Sequence, residues 1–285
     1  LKDKVNDLKD IQLINQNVLF GNQEFDNDPC YKKSIENLSI KEVERPTLNF
    51  EDPYLILFTG GTTGLPKGAT LSHRLVFWNS VNTILTWGLR PDDVQPLLFP
   101  LFHTGGWNVL LNPFYHQGAK TILMGDFDPL ETLRVIEDEK CTIVIGVPTM
   151  FHVMANQEEF NSANFDSVRI FISGGAPCPV AIMENYWDRG KPFKMGYGLT
   201  EVGPNNFYLP EKDIKQKPTS VGLPVFHCDM KIIDDDGNVV EKGEIGELLL
   251  KGPHIFSGYW EEPEETKKTI ELDGYVHTGD LVKQD

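Results

Sequence analysis

Apolar residues follow two rhythms along this chain. From about residue 50 to Asn205, short apolar runs alternate with longer amphipathic stretches, and after it only short runs remain. Tyr54-Leu55-Ile56-Leu57-Phe58 reads as a strand. A helix is predicted from about His73 to Trp87, with Ser72 as N-cap, Gly88 as the stop, and Leu75, Trp78, Val81 and Leu85 as its apolar stripe. Pro96 to Phe102 reads as an apolar strand that ends in a glycine-containing turn and presents His103. Lys120 to Met124 is predicted as a short buried strand. Asp128-Pro129-Leu130-Glu131 then opens a helix, with a capping aspartate, proline at the first position and glutamate three after the cap. It runs to about Lys140. The strand Thr142 to Ile145, a helix from near Thr149 and the strand Val168 to Ile172 follow. Pro179 opens another helix, Gly190 closes it, and Phe193-Lys194-Met195 is the next strand. Continuous apolar strands separated by helices predict an α/β fold: mixed, largely parallel sheets flanked by helices.

Beyond Asn205 the pattern predicts a small β-rich subdomain. Met230 to Ile233 and Val239-Val240 flank an Asp236-Gly237 turn, a hairpin signal. Gly246 to Gly252 is another strand, and Gly258-Tyr259-Trp260 and Gly274-Tyr275 follow. The charged run Glu261 to Lys268 reads as a solvated face. The expected organisation is therefore an α/β region, residues 1–205, and a β-rich region, residues 206–285. Residues 1–50 are polar and weakly patterned, with no visible chemistry.

Charge narrows the partners. The 285 residues carry a net charge of −16, which argues against nucleic acid or an anionic membrane as partner. A polyanion could bind only where the local field is cationic. The four cysteines, Cys30, Cys141, Cys178 and Cys228, form no C-x-x-C pair, so reduced thiols and a cytoplasmic location are expected. No apolar run approaches the length of a membrane span, and Leu1-Lys2-Asp3-Lys4 is no signal peptide. The missing initiator methionine suggests a start inside a longer protein.

Between the first strand and the first helix lies Thr59-Gly60-Gly61-Thr62-Thr63-Gly64-Leu65-Pro66-Lys67-Gly68. Three threonines, four glycines and one lysine within this string make a dense donor set for a polyphosphate. It is not the G-x-x-x-x-G-K-[ST] loop, because Pro66 precedes Lys67 and Gly68 follows it. Pro66 keeps Leu65 out of helical conformation, so the lysine sits on a flap. Ser173-Gly174-Gly175-Ala176-Pro177 ends a strand with small residues against which a planar ring can pack. Met195 leads into Gly196-Tyr197-Gly198-Leu199-Thr200-Glu201. Here Tyr197 offers a flat face, the glycines allow close approach, Thr200 can donate to a phosphate, and Glu201 is a hard oxygen ligand suited to Mg2+. His277-Thr278-Gly279-Asp280 is the last motif.

Together these strings resemble the signatures of the adenylate-forming enzymes, which include acyl-CoA synthetases, luciferase and the adenylation domains of peptide synthetases. The likeness covers residues from about 50 to 283 and is nearest to fatty-acid or coumarate-type CoA ligases. It implies that Gly174, Gly175, Ala176 and Pro177 lie along the adenine and that Met195, Gly196, Tyr197 and Gly198 also contact the nucleotide. It further implies that Asp280 binds the ribose hydroxyls and that Thr59, Gly60, Gly61, Thr62, Thr63, Gly64 and Lys67 hold the β- and γ-phosphates. Thr200 and Glu201, through Mg2+, would act on the α-phosphate. His103 would guide the carboxylate substrate, with Trp107 bordering the acyl tunnel. The implied reaction uses ATP, Mg2+ and coenzyme A to convert a carboxylic acid, expected to be a fatty acid, into acyl-adenylate and then acyl-CoA. The alternatives are a nucleotide-binding piece without turnover, or adenylation of an aryl or amino acid. The family's N-terminal part and lysine-bearing C-terminal domain have no counterpart here, the β-rich region would match the family's distorted barrel, and a homodimer is left open.

Overall fold

A parallel sheet forms where the sequence alternates most regularly. In the computed structural model, which describes residues 46–60 and 65–285, strands β5 (Ile143–Gly146), β6 (Ile170–Ser173) and β7 (Phe193–Met195) pair in parallel in that order. The chain divides into two compact units, Leu1–Leu48 and Asn49–Asp285, and all elements named here lie in the second. Strands β3 (Val94–Leu97) and β4 (Lys120–Leu123) form a second parallel pair. Helices α3 (Pro129–Asp138), α4 (Pro148–Ala155) and α5 (Val180–Asp188) connect successive strands from β4 to β7. Asp128 caps α3 through a 2.7 Å bond to the Glu131 N–H, with Pro129 in the first turn.

The core of this sheet is aromatic. Phe151, Phe171, Tyr186 and Phe193 are buried, with the Phe151 and Phe193 rings 4.7 Å apart and nearly perpendicular. The Tyr186 hydroxyl is satisfied by the Phe151 carbonyl at 3.0 Å. At the amino ends of β5 and β6, just before β3, Asp93 is almost fully buried. Its carboxylate accepts from Arg169 Nη2 at 2.7 and 2.8 Å, from Thr142 Oγ1 at 2.7 Å and from the Arg90 N–H at 2.7 Å. Strand β4 is not buried as expected: it pairs with β3 alone, and Leu123 is 71 % exposed.

Helix α1 (His73–Trp87) has the predicted ends: Ser72 Oγ accepts the Leu75 N–H at 3.3 Å, and Gly88 is left-handed at φ +61°. Its buried face is not the predicted one. Leu75 and Val76 are buried, but Leu85 is 58 % exposed, and Asn79, Ser80, Asn82 and Thr83 point inward. Asn79, and Thr83 through Asn205, meet a π-helical turn, Gly105–Val109, whose carbonyls need donors. Asn79 Nδ2 donates to the Asn108 carbonyl at 2.6 Å, and Asn205 Nδ2 bridges Thr83 Oγ1 and the Val109 carbonyl at 2.8 Å each. Helix α2 (Leu111–Gln117) follows that turn.

The remaining sheets are antiparallel. Strand β2 (Lys67–Ser72) lies between β1 (Pro53–Thr59) and the short β12 (Gly258–Tyr259). Strand β8 (Phe207–Tyr208) pairs with β9 (Leu223–Pro224). Strand β11 (Ile245–Lys251) lies between β10 (Asp229–Ile233) and β13 (Val276–Lys283), with an irregularity between Glu247 and Leu249. The β-rich region expected to form a distorted barrel is thus an open sheet among the described residues. Past the turn at Gly237 the chain pairs back only at the Ile233–Val239 bridge, so β10 gains no further strand on that side. Buried residues of β1, β2, β10 and β11 share one hydrophobic cluster. No helix of the described residues is long and apolar enough to cross a membrane. Cys141, Cys178 and Cys228 are free and buried, while Cys30 lies outside the described residues.

Candidate active site

The glycine loop is the tip of the β1–β2 hairpin, with Thr59 paired to Lys67 across its base. Gly61, Thr62, Thr63 and Gly64 lie outside the described residues. The two framing residues reach different carboxylates. Thr59 Oγ1 donates to Glu201 Oε1 at 3.1 Å, and the Tyr259 hydroxyl donates to the same oxygen at 2.9 Å. Glu201 Oε2 takes no hydrogen bond among the described residues, which leaves one oxygen of a fixed carboxylate for a cation. Lys67 Nζ lies 5.3 Å from the centre of the Tyr259 ring and pairs with Glu265 on helix α6 (Pro263–Thr269).

The carboxyl ends of the parallel strands supply the next wall, as open α/β sheets commonly do. The Gly174 N–H donates to the Gly146 carbonyl at 3.0 Å and the Gly196 N–H to the Ser173 carbonyl at 2.8 Å. These bonds continue the ladder past the strands and set the Gly174-Gly175-Ala176-Pro177 turn beside Met195, Gly196 and Tyr197. Gly198 is required for space, since a Cβ there would lie 2.1 Å from the Pro204 carbonyl oxygen. Thr200 and Glu201 follow in a 3-10 turn, both buried.

Tyr197 reaches across to the last motif, its hydroxyl donating to Asp280 Oδ2 at 2.6 Å. Burial, reinforced by that carboxylate, pushes the phenol pKa up and keeps it protonated. Glu247 organises the turn that carries Asp280. Its Oε1 accepts the Gly279 N–H at 3.0 Å, and its Oε2 lies 3.0 Å from His277 Nδ1. Thr278 Oγ1 donates to the Leu248 carbonyl at 2.7 Å and accepts the Asp280 N–H at 3.1 Å.

His103 stands beyond the end of β3, six residues past Leu97, on an exposed turn rather than directly at a strand end. Its Nδ1 accepts the Gly105 N–H at 3.0 Å, so Nε2 carries the proton in the neutral ring. Partial burial lowers its pKa and favours that neutral form. Trp107 donates its indole N–H to the Leu101 carbonyl at 2.6 Å and packs edge-on to Tyr54.

A cleft of about 550 Å³ brings together Thr59, Gly60, Lys67, His103, Gly175, Gly198, Thr200 and Glu201. Gly279, next to Asp280, also lines it. Trp107 does not, and Tyr197 lines a different cavity of about 600 Å³ with Phe207 and Val282. Sequence reasoning missed Tyr259, Glu247, Glu265, Lys268 and Thr269. Of these Glu247, Tyr259, Lys268 and Thr269 line the cleft. The run Glu261 to Lys268, read as a solvated face, contains the partner of Lys67. Its helical signal was legible, with Pro263 at the start and charge pairs three apart, Glu264–Lys267 and Glu265–Lys268. Nothing in the string itself points to Lys67.

The chain is similar to known proteins. The chain is 36 % identical over 250 residues to a feruloyl-CoA synthase from Amycolatopsis sp, covering 87 % of this chain and 51 % of that one. It is 34 % identical over 261 residues to a long-chain-fatty-acid–CoA ligase from Salmonella typhimurium, covering 90 % of this chain and 46 % of that one. A solved structure of o-succinylbenzoate coenzyme A synthetase (MenE) from Bacillus subtilis, in complex with AMP, superposes with a TM-score of 0.78 at 28 % identity, over 87 % of this chain and 51 % of that one. The chain spans about half the length of the curated relatives it matches. The AMP-binding enzyme family matches residues 2–260, and the chain belongs to that family.

Proposed function

We propose that this chain carries the ATP- and carboxylate-binding machinery of an AMP-forming acyl-CoA ligase. The observation that carries the reading is the convergence of Lys67, His103, Thr200 and Glu201 on one cleft, although the others lie 36 to 134 positions from Lys67. In the proposed reaction a carboxylate oxygen attacks the α-phosphorus of ATP, the bond to the β-phosphate oxygen breaks, and pyrophosphate leaves. The thiol of coenzyme A then attacks the acyl carbon of the adenylate and AMP departs.

The chain's own residues position these groups. Lys67 and Thr59 face the β- and γ-phosphates with the glycine loop, and Thr200 donates to the α-phosphate. His103, neutral and protonated on Nε2, donates to the incoming carboxylate. Tyr197 and the turn Gly174–Pro177 bracket adenine, and Asp280 accepts from the ribose hydroxyls. Glu201 would hold Mg2+ through its open oxygen, a fit to an ion usually held by one or two carboxylates plus substrate phosphates. When bound, the ion would neutralise charge on the phosphate oxygens. No residue need become covalently attached, since positioning and electrostatic stabilisation suffice for such transfers.

For the acid we propose an apolar carboxylic acid, with a fatty acid as the first candidate. Apolar residues close to His103 in sequence, among them Phe102, Trp107 and Val109, support this, and the relatives' names span aromatic and aliphatic acids. We retain residues 1–205 as the nucleotide- and acid-binding region and 206–285 as a β-rich accessory region. ATP–pyrophosphate exchange driven by ferulate, indoleacetate and a series of fatty acids tests the proposal. Exchange that depends on one acid class supports it, and exchange with none in a chain that binds AMP would confine the role to binding.

A further inference from the structure

The cleft holds a second lysine that the proposed chemistry has not used. Lys268, one turn along α6, donates to Glu265 Oε1 at 2.6 Å, while Lys67 pairs with Glu265 Oε2. One carboxylate thus bridges two ammonium groups, and both lysines line the cleft beside Thr59 and Thr269. Glu265 is held in place by its own turn: Thr269 Oγ1 donates to its backbone carbonyl at 2.9 Å. Lys67 is 16 % exposed, Glu265 23 % and Lys268 71 %.

We propose that Lys268 is a second cationic contact for the polyphosphate of ATP, and that Glu265 occupies the two lysines until the terminal phosphates displace it. This rests on the nucleotide reading above. The geometry favours exchange because a carboxylate and a phosphate present oxygens of similar spacing and like charge to the same donors. The Lys268–Glu265 pair is exposed at its lysine end and so weak, and at the more buried Lys67 a phosphate oxygen would replace the carboxylate rather than leave the ammonium unpaired. A polyphosphate brings several charges to the same two ammonium groups. In a chain of net charge −16, a carboxylate within the phosphate pocket also opposes the ligand's approach. Neutralising Glu265 should therefore help ATP and leave AMP, which lacks the β- and γ-phosphates, unaffected.

Calorimetry of the full chain with Mg-ATP, AMP and inorganic pyrophosphate tests this. Glu265→Gln should tighten ATP and pyrophosphate binding about three- to tenfold, and Lys268→Ala should weaken both by about the same factor, with AMP affinity within twofold throughout. An ATP to AMP affinity ratio unchanged in both variants overturns the inference alone. So does weaker ATP binding by Glu265→Gln, which would make the carboxylate a supporting group. A wild-type chain that binds neither nucleotide overturns the underlying reading as well.

Discussion

Tyr197 and Asp280, 83 positions apart in sequence, share a 2.6 Å hydrogen bond. The bond ties the carboxyl edge of the parallel sheet to a turn of β13 and gives the carboxylate one fixed donor. In the proposed site the same carboxylate receives the ribose hydroxyls. Asp280→Ala should weaken AMP binding about 10- to 100-fold, the range for hydrogen bonds to a charged group. Tyr197→Phe keeps the ring and frees the carboxylate, so its effect should stay within about threefold. Calorimetric titration with AMP distinguishes the two.

Asp93 is buried, and Arg169 is its only charged partner among the described residues. Removing the guanidinium leaves the carboxylate with only Thr142 and the Arg90 N–H. Arg169→Ala should destabilise the fold by about 3 kcal/mol, as for a buried charge stripped of its partner. Arg169→Lys should fall between, keeping charge but losing the forked geometry. Urea denaturation measures both.

Lys194 is 1 % exposed on β7, with its ammonium 3.9 Å from the centre of the Tyr208 ring and 5.1 Å from that of Trp87. Burial lowers its pKa to about 7. Because the folded pKa lies below the ordinary 10.5, the unfolded chain takes up the proton first as pH falls from 10.5 towards 7. Stability is lost across that window. Burying the ammonium costs about 4 kcal/mol at pH 7, and its contact with the two rings offsets about 2 of that. Lys194→Met should therefore be more stable than wild type by about 2 kcal/mol at pH 7, with the advantage shrinking as pH rises towards 10.5. Denaturation midpoints at pH 7 and pH 9.5 check the sign.

At Gly198 the obstacle to a side chain is backbone, the carbonyl of Pro204, which cannot rotate away. Gly198→Ala should cost about 2–3 kcal/mol and lower the melting temperature by about 5–10 °C. A thermal melt reads this directly, and an unchanged midpoint would mean that the 198–204 turn opens freely.

The strings that line the candidate cleft, and the helix ends that frame it, were legible in the sequence because their chemistry is local. Ser72, Gly88, Asp128 and Pro129 mark helix ends by chemistry local to each position, and the structure has them where expected. The polar face of α1 was not legible. Asn79 and Thr83 are buried because distant carbonyls at Asn108 and Val109 and the amide of Asn205 need partners, and periodicity counts only apolar residues. The pairing of Lys67 with Glu265 was hidden for a similar reason. It spans 198 positions, and a charged run carries no sign of what lies opposite. The expected barrel failed on closure, a property of strand partners and not of any one strand's composition.

The most direct test of the account is a crystal structure of the chain with AMP or a non-hydrolysable ATP analogue. The account predicts the purine between Tyr197 and the turn Gly174–Pro177, the ribose hydroxyls on Asp280, and the phosphates of the ATP analogue running towards Thr200 and Lys67. A nucleotide seated instead in the cavity between Phe207 and Val282, with Lys67 still paired to Glu265 when the analogue carries its β- and γ-phosphates, would contradict it.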